Sequence, residues 1–323
     1  MKKMNKIFLI IAIVIVGILI VKDIVIQNVI TSVGSNIVGA KLHVGSFSSN
    51  IFTQKVRMKD IKLYNPLGFP KEYLIDIPEV GVDYDLGALL GGKLHLPLVV
   101  LNVNEMVIVK NDKGELNVDS LKVVKDAKNQ PKKGKDEKSK PQEAMSMKID
   151  LLKLNFNRVV YKDYANGPEP TIQVFEVALK DKAFENITSP QEMVTLILVQ
   201  GMGPTAIKGA AIYAAAAMTG VGIIPAGIIG VLTGKDESEV VFQKDVNRVY
   251  DAALKTVSAM GEVKSENKSG GLIKAKVNGA DVSINILEQS RNSTKVVVSA
   301  KQFMIPKPEI GGGVIYKLKE ILK

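Results

Sequence analysis

The sequence predicts an α+β protein with three parts: an N-terminal transmembrane helix, an antiparallel β-sheet with one apolar face and a covering helix, and a small α+β domain at the C-terminus. Three observations predict it. Residues 7–21 form an uncharged apolar run behind a Lys-rich start, and residues 42–182 alternate apolar and polar positions between turn residues. Residues 235–323 place a helical pattern ahead of a strong hairpin signal. The 323 residues suit about two domains, and 46% hydrophobic content can bury a core without covalent staples. The absence of Cys excludes a disulfide framework, a thiolate nucleophile, an iron–sulfur cluster and CxxCH haem attachment. With His43 and His95 the only two histidines, most zinc sites and His-based triads are excluded as well.

The N-terminus sets the compartment. Lys2, Lys3 and Lys6 precede Ile7, Phe8, Leu9, Ile10, Ile11, Ala12, Ile13, Val14, Ile15, Val16, Gly17, Ile18, Leu19, Ile20 and Val21. As a helix this run covers about 22 Å of a ~30 Å hydrocarbon core, and Lys6 and Lys22 can snorkel outwards to extend it. A cleaved signal peptide would need small residues next, whereas the chain continues Val21-Lys22-Asp23-Ile24-Val25. An uncleaved anchor follows, with the Lys-rich end in the cytoplasm and the bulk of the chain across the membrane. Ile26, Val29, Ile30, Val33 and Ile37 then recur at helical spacing up to Gly39, so residues 1–41 read as anchor and amphipathic stalk.

A strand-rich module is expected over residues 42–188. Val56 and Met58 alternate with polar neighbours, and the phase slips at Lys59-Asp60 before Ile61 and Leu63 continue it, as a bulge would cause. Asn65-Pro66-Leu67-Gly68-Phe69-Pro70 is a turn. Val80, Val82, Tyr84 and Leu86 alternate with Glu79, Gly81, Asp83 and Asp85, and Leu94, Leu96, Val103, Val107 and Val109 continue the pattern. The candidate apolar face is therefore Val80, Val82, Tyr84, Leu86, Val103, Val107 and Val109. An open sheet covers such a face with a helix, another sheet or an apolar ligand, and both a helix and a lipid chain suit this one.

Within that module, residues 122–146 read as a disordered Lys-rich linker. Lys122 to Lys140 carries eight Lys against Asp126, Asp136 and Glu137, with Pro131, Gly134 and no aromatic residue. Nucleic-acid binding would want stacking aromatics among the basic residues, so this is a solvated linker with at most a weak attraction to anionic headgroups. Linker and N-terminal lysines account for most of the net +10, leaving about two positive charges for the rest. Strand patterns resume with Ile149, Leu152, Leu154, Phe156, Val159 and Tyr161 and continue past Asn166-Gly167-Pro168 to Ile172, Val174, Val177 and Leu179. Both blocks are expected in one sheet.

Residues 189–234 form an apolar, Gly/Ala-rich helical segment. Ser189, Pro190 and Glu192 are a helix start, and Gly201-Met202-Gly203-Pro204-Thr205-Ala206 reads as a break between helices rather than a dinucleotide fingerprint. Residues 209–232 are twenty-four residues without a charge, but Gly220, Gly222 and Pro225 break a straight helix. Two pictures stay open: small-residue helices packed on the sheet or lying in the interface, which is preferred, or a second span that returns residues 235–323 to the cytoplasm. In that last domain Val240, Val241, Val246, Val249, Tyr250, Ala253, Leu254 and Val257 are spaced for a helix ending near Gly261. Strands follow near 263–267, at Leu272 to Val277 and at Val282 to Leu287 across an Asn278-Gly279 turn, and again at Lys295 to Ala300. Gly311-Gly312-Gly313 is expected as a hinge before a short final helix.

Val44-Gly45-Ser46-Phe47, the strand ending in Leu63-Tyr64-Asn65-Pro66-Leu67-Gly68-Phe69, Ile77-Pro78-Glu79-Val80, Leu89-Leu90-Gly91-Gly92-Lys93 and Gly114-Glu115-Leu116-Asn117 follow one membrane helix in this order. In order and spacing they resemble the amino-terminal module of bacterial AsmA-like proteins over about residues 1–200. Asn65, Pro66, Gly68 and Phe69 are the most specific part. The resemblance implies that the sheet is a curved groove related to bridge-like lipid transfer proteins, held at the inner membrane and projecting into the periplasm. It also implies work in envelope biogenesis or lipid handling rather than a chemical reaction. Residues 235–323 more weakly resemble a small domain of bacterial envelope lipoproteins. The expected function is non-enzymatic lipid binding or transfer, with a structural envelope scaffold acting through protein partners as the alternative, and with a tether for a catalytic partner as a further rival. Membrane lipid and envelope proteins are the expected partners, and no nucleic acid, cofactor, metal or catalytic residue is expected. Asp83 and Asp85 share a strand face but read as its wet side, and neither His has a second ligand nearby in sequence.

Overall fold

A computed structural model describes residues 23–129, 146–203, 205, 207 and 237–323. The expected membrane run 7–21 and the uncharged run 209–232 both lie outside the described residues. None of the described helices is long and apolar enough to cross a membrane.

Helix α1 (residues 23–38) runs antiparallel beside β1 (Leu42–Asn50). Its side chains bond the strand: Ser35 Oγ accepts from Leu42 N at 3.0 Å, Gln27 Nε2 donates to Val44 O at 2.6 Å, and Asp23 Oδ1 accepts from Ser49 Oγ at 2.6 Å. The helix thus shields an edge that would otherwise offer free backbone groups. β2 (Lys55–Tyr64), β3 (Tyr73–Asp83), β4 (Lys93–Lys110), β5 (Ser146–Asp163) and β6 (Thr171–Ile187) complete a six-stranded sheet in sequential order. It is not wholly antiparallel as expected: β4 and β5 are parallel. The chain leaves β4 through the Asn111–Gly114 turn, a 3₁₀ turn (Val118–Ser120) and α3 (Lys122–Asn129), and it re-enters β5 at the opposite end. A crossover of this kind is what a parallel neighbour requires. The eighteen residues of β4 correspond to about 60 Å of strand. The end where α1 begins is called proximal here, and the end where α1 stops is called distal.

One row across the sheet explains the phase slip at Lys59-Asp60. Gly45, Asp60 and Pro78 stand side by side, flanked by the pairs Val44↔Ile61, Lys59↔Glu79 and Asp76↔Glu105. Asp60 has φ 52°, a Cβ on Gly45 would lie 2.9 Å from that of Asp60, and Pro78 has no amide to donate. Core positions change parity across this row in several strands together. They are Ile75 and Ile77 then Val80 and Val82 in β3, Leu101 and Val103 then Met106 and Ile108 in β4, and Phe156 then Val159 in β5. The register of β2 against β3 does not shift there. From β1 to β5 the strands change parity together without a register shift, and β6 follows through extra residues opposite Leu154–Arg158, where Ala178 and Asp181 adopt positive φ.

Two other expectations are corrected. β3 ends at Asp83, so Tyr84 and Leu86 are not strand positions: Asp85 caps the short helix α2 (Leu86–Leu90), its side chain accepting from Ala88 N at 2.9 Å. The first residues assigned to a disordered linker form α3, where Val123 and Val124 are buried beside Leu121 and Lys122 and Lys125 face water. Residues 130–145 lie outside the described residues.

Helix α4 (Pro190–Met202) begins with the expected Ser189 cap, and Glu192 reaches back to the residue before it. Ser189 Oγ accepts from Glu192 N at 3.1 Å, and Glu192 Oε2 accepts from Thr188 N at 2.9 Å. A second sheet follows, built from β7 (Glu237–Phe242), β8 (Gly261–Asn267), β9 (Leu272–Val277), β10 (Ala280–Ser290), β11 (Ser293–Gln302) and β12 (Ile305–Pro306). Val240 and Val241 belong to β7, paired with Lys295 and Val296, and not to a helix. The helix α5 (Val246–Met260) starts only where Asp245 caps it, accepting from Arg248 N at 3.0 Å. Asn278 and Gly279 form the expected turn, with φ 51° and 77°.

The triglycine is not a hinge. It lies inside the last helix, α6 (Pro308–Ile321), which is wedged between the two sheets. A Cβ on Gly313 would meet the carbonyl oxygen of Ile172 in β6 at 2.0 Å, and one on Gly311 would meet that of Val298 in β11 at 3.2 Å. Side-chain-free positions let the helix backbone touch both sheets.

Candidate functional site

The large sheet has two faces, and α1, α3, α4 and α6 divide them. On the first, Val38 at the end of α1 and Ala40 just after it, Val118 and Leu121, Val123 and Val124 of α3, and Leu196 to Val199 and Met202 of α4 share one core with the strands. Gly201 lets α4 sit close: a Cβ there would lie 2.4 Å from Met106 Cε and 2.7 Å from Phe156 Cζ. This packing need accounts for the first glycine of the Gly201-Met202-Gly203 run. Towards the proximal end the cover thins. Met58, Val82, Leu96 and Met147, on β2, β3, β4 and β5, pack against the same core but are only half-buried. Together they make an apolar strip that opens at the end where α1 begins.

The expected groove residues divide between places. Val80 and Val103 are in the covered core and Val82 is on the open strip. Val107 and Val109 point to the opposite face, in a separate cluster with Val160, Ile172 and Val174 under α6. The parity change at the kink row is the reason: odd positions of β4 from Val99 to Val103 serve the first face, and odd positions beyond the row serve the second. Tyr84 and Leu86 stand half-buried at the proximal end. Sequence reasoning missed Met58, Leu96 and Met147 as open positions, and the slip at Lys59-Asp60 was the signal that could have split the face.

Asn65, Pro66, Gly68 and Phe69 close the distal end. Asn65 Nδ2 donates to Pro70 O at 3.0 Å, Gly68 adopts φ 95°, and Phe69 packs on the second-face cluster. Asn65 Oδ1 accepts from Asn117 Nδ2 at 2.7 Å, so two separate sequence elements meet. Asn117 is fully buried; its Oδ1 accepts from Val109 N and Val118 N, and its Nδ2 also donates to Val107 O. The motif is thus a clamp on the strand ends rather than a binding site.

Two polar clusters flank the apolar surfaces. Under α6, the buried Glu105 accepts from Arg158 Nε at 2.6 Å, Tyr73 OH at 3.1 Å and Tyr316 OH at 3.3 Å. Burial and the Glu105 charge push both tyrosine hydroxyls well above their ordinary range, so each remains a neutral donor. At the proximal end His95 lies between two carboxylates, with Nε2 2.7 Å from Asp150 and Nδ1 3.4 Å from Asp85. The bond to Asp150 is the largest influence raising its pKa, lost hydration opposes it, and Asp85 adds to it. His95 is therefore partnered, contrary to its lone appearance in sequence. Among the described residues no group of three His, Cys, Asp or Glu could hold a metal ion.

A comparison with curated proteins returns no match. The AsmA family profile matches residues 1–297, extending past the large sheet through most of the second one. With the strand order, the clamped Asn65 turn and the partly open apolar face already described, the match over most of its length shows that the chain belongs to the AsmA family.

Proposed function

We propose that the chain is a non-enzymatic, inner-membrane-anchored protein with its bulk in the periplasm, and that it holds or passes the acyl chain of a membrane lipid along the strip Met58, Val82, Leu96 and Met147. Membership of the AsmA family supports a role in envelope biogenesis or lipid transport. The observation that carries the finer reading is that the apolar face is helix-covered in its distal part and only half-buried in its proximal part. In β4 register the strip runs from Leu94, opposite Met147, to Leu101, level with Met58 through Val80, about 23 Å and so long enough for the ~15 Å that one leaflet's acyl chains occupy. The test is native mass spectrometry of the full chain purified in mild detergent. Co-purifying lipid that is lost in Leu96→Glu, with an unchanged circular dichroism spectrum, is expected; no lipid on the wild-type chain would sink the transfer reading.

A structural scaffold is the second reading, and one observation favours it: α3 and α4 already bury much of the face that a long groove would need. In either reading both sheets lie on one side of the membrane. α6 is packed on both sheets, so a single crossing by residues 209–232 would pull apart surfaces that touch. The picture in which that segment stays on the periplasmic side is the one this packing supports.

A further inference from the structure

We propose that the proximal end of the large sheet rests in the bilayer surface through two apolar turn tips, Ile51-Phe52 and Leu89-Leu90. This rests on the reading of residues 7–21 as a membrane anchor. Phe52 is 94% exposed and Leu90 82%, with Ile51 and Leu89 exposed beside them in the same turns. One exposed leucine means little, but four apolar side chains on two joined turns form a patch with no cover among the described residues.

The two tips are one rigid unit. Asn50 Oδ1 accepts from Phe52 N at 2.9 Å and Thr53 N at 3.0 Å, which fixes the β1–β2 turn with Phe52 outward. Gln54 then ties that turn to the next: its carbonyl accepts from Tyr84 N at 3.0 Å and its Oε1 from Leu86 N at 2.9 Å, at the start of α2. Chain geometry puts this unit at the membrane. The apolar run ends at Val21, and two residues reach at most about 7 Å to Asp23. Asp23 is bonded to Ser49, and the three residues from there to Phe52 reach at most about 10 Å. A bilayer that holds residues 7–21 therefore lies within reach of Phe52. The half-buried strip of Met58, Val82, Leu96 and Met147 opens towards the same end, so the contact would join the strip to the lipid phase.

The chain contains no Trp, so a single introduced one is an unambiguous reporter. Full-length Phe52→Trp and Leu90→Trp would be reconstituted in vesicles of phosphatidylethanolamine and phosphatidylglycerol, with and without brominated acyl chains. Phe303→Trp, at the 90% exposed tip between β11 and β12, is the control. Blue-shifted emission from F52W and L90W that is largely lost in brominated vesicles, with F303W unaffected, is the expected result. Unquenched F52W and L90W in chains that float with the vesicles would overturn this inference alone. Chains that fail to float would overturn the anchor reading and this inference with it.

Discussion

His95 is the side chain whose environment changes most between sequence and fold. Three charged neighbours surround it: Asp85 from the α2 cap, Asp150 from β5 and, through Asp150, Lys148 at 2.7 Å. Because its folded pKa is raised, the stabilisation it contributes is fully present below its ordinary value of 6.5 and is lost as pH rises through the folded value. The two carboxylates act in the opposite direction. Asp85 is lowered first by its bond from Ala88 N and Asp150 first by Lys148, so their contribution holds above 3.8 and is lost as pH falls through their folded values. Thermal unfolding of the wild-type chain is therefore expected to lose midpoint temperature as pH rises past 6.5, while His95→Gln shows a flatter profile over that window. Equal pH slopes for the two proteins would show that the bonds to Asp85 and Asp150 do not matter to stability.

Among the elements, α4 and α6 show what helices need in order to lie on this sheet. Both approach through glycine, but the neighbours differ in kind. The atom nearest a Gly201 Cβ is the end of the flexible Met106 side chain, with the buried Phe156 ring behind it; the atom nearest a Gly313 Cβ is a backbone carbonyl in β6. A methionine tip can move and a strand carbonyl cannot without disturbing its ladder. Gly201→Ala is accordingly expected to cost about 1–2 kcal/mol and Gly313→Ala about 3 kcal/mol, measured by urea unfolding. A Gly313→Ala chain as stable as wild type would mean that α6 does not touch β6 as described. Much at this scale was legible beforehand. The Ser189 cap, the Asn278-Gly279 turn and the slip at Lys59-Asp60 all carry their signal in adjacent residues. The role of the triglycine was not legible, because a glycine run reads as a hinge unless the surfaces pressing on it are known. Val123 and Val124 were hidden among lysines for a similar reason: what buries them comes from distant parts of the chain.

For the whole molecule, the helix shared by the two sheets is the observation that bears on the proposed topology. Tyr316 of α6 donates to Glu105 of the large sheet, which also accepts from Tyr73 of β3, and Lys162 Nζ, bonded to Glu72 at 2.7 Å, lies 3.9 Å from Glu320 of α6. The same helix packs on the second sheet through Ile310, Val314 and Leu318, and this double contact is what motivates the single sidedness proposed for the two sheets. The chain lacks Cys, so single cysteines can report sidedness without background. Leu67→Cys, at the fully exposed distal turn of the first sheet, and Met304→Cys, on the second, are both expected to react with an impermeant maleimide added to the periplasmic face of spheroplasts. Labelling of only one of the two would mean that residues 209–232 cross the membrane and that the packing of α6 belongs to some other state.

The sequence by itself determined the parts whose physics is local: an apolar run long enough to reach across most of a bilayer, strand alternation, turn and cap chemistry, and the family-like order of motifs. Tertiary structure alone decided which face each strand residue serves, that β4 and β5 run parallel, that His95 has two partners, and that α6 binds the sheets together. Those outcomes depend on residues far apart in the chain meeting in space. In β4, Val103 and Val107 have the same parity in sequence, and only the common kink through Gly45, Asp60 and Pro78 sends them to opposite sides of the sheet.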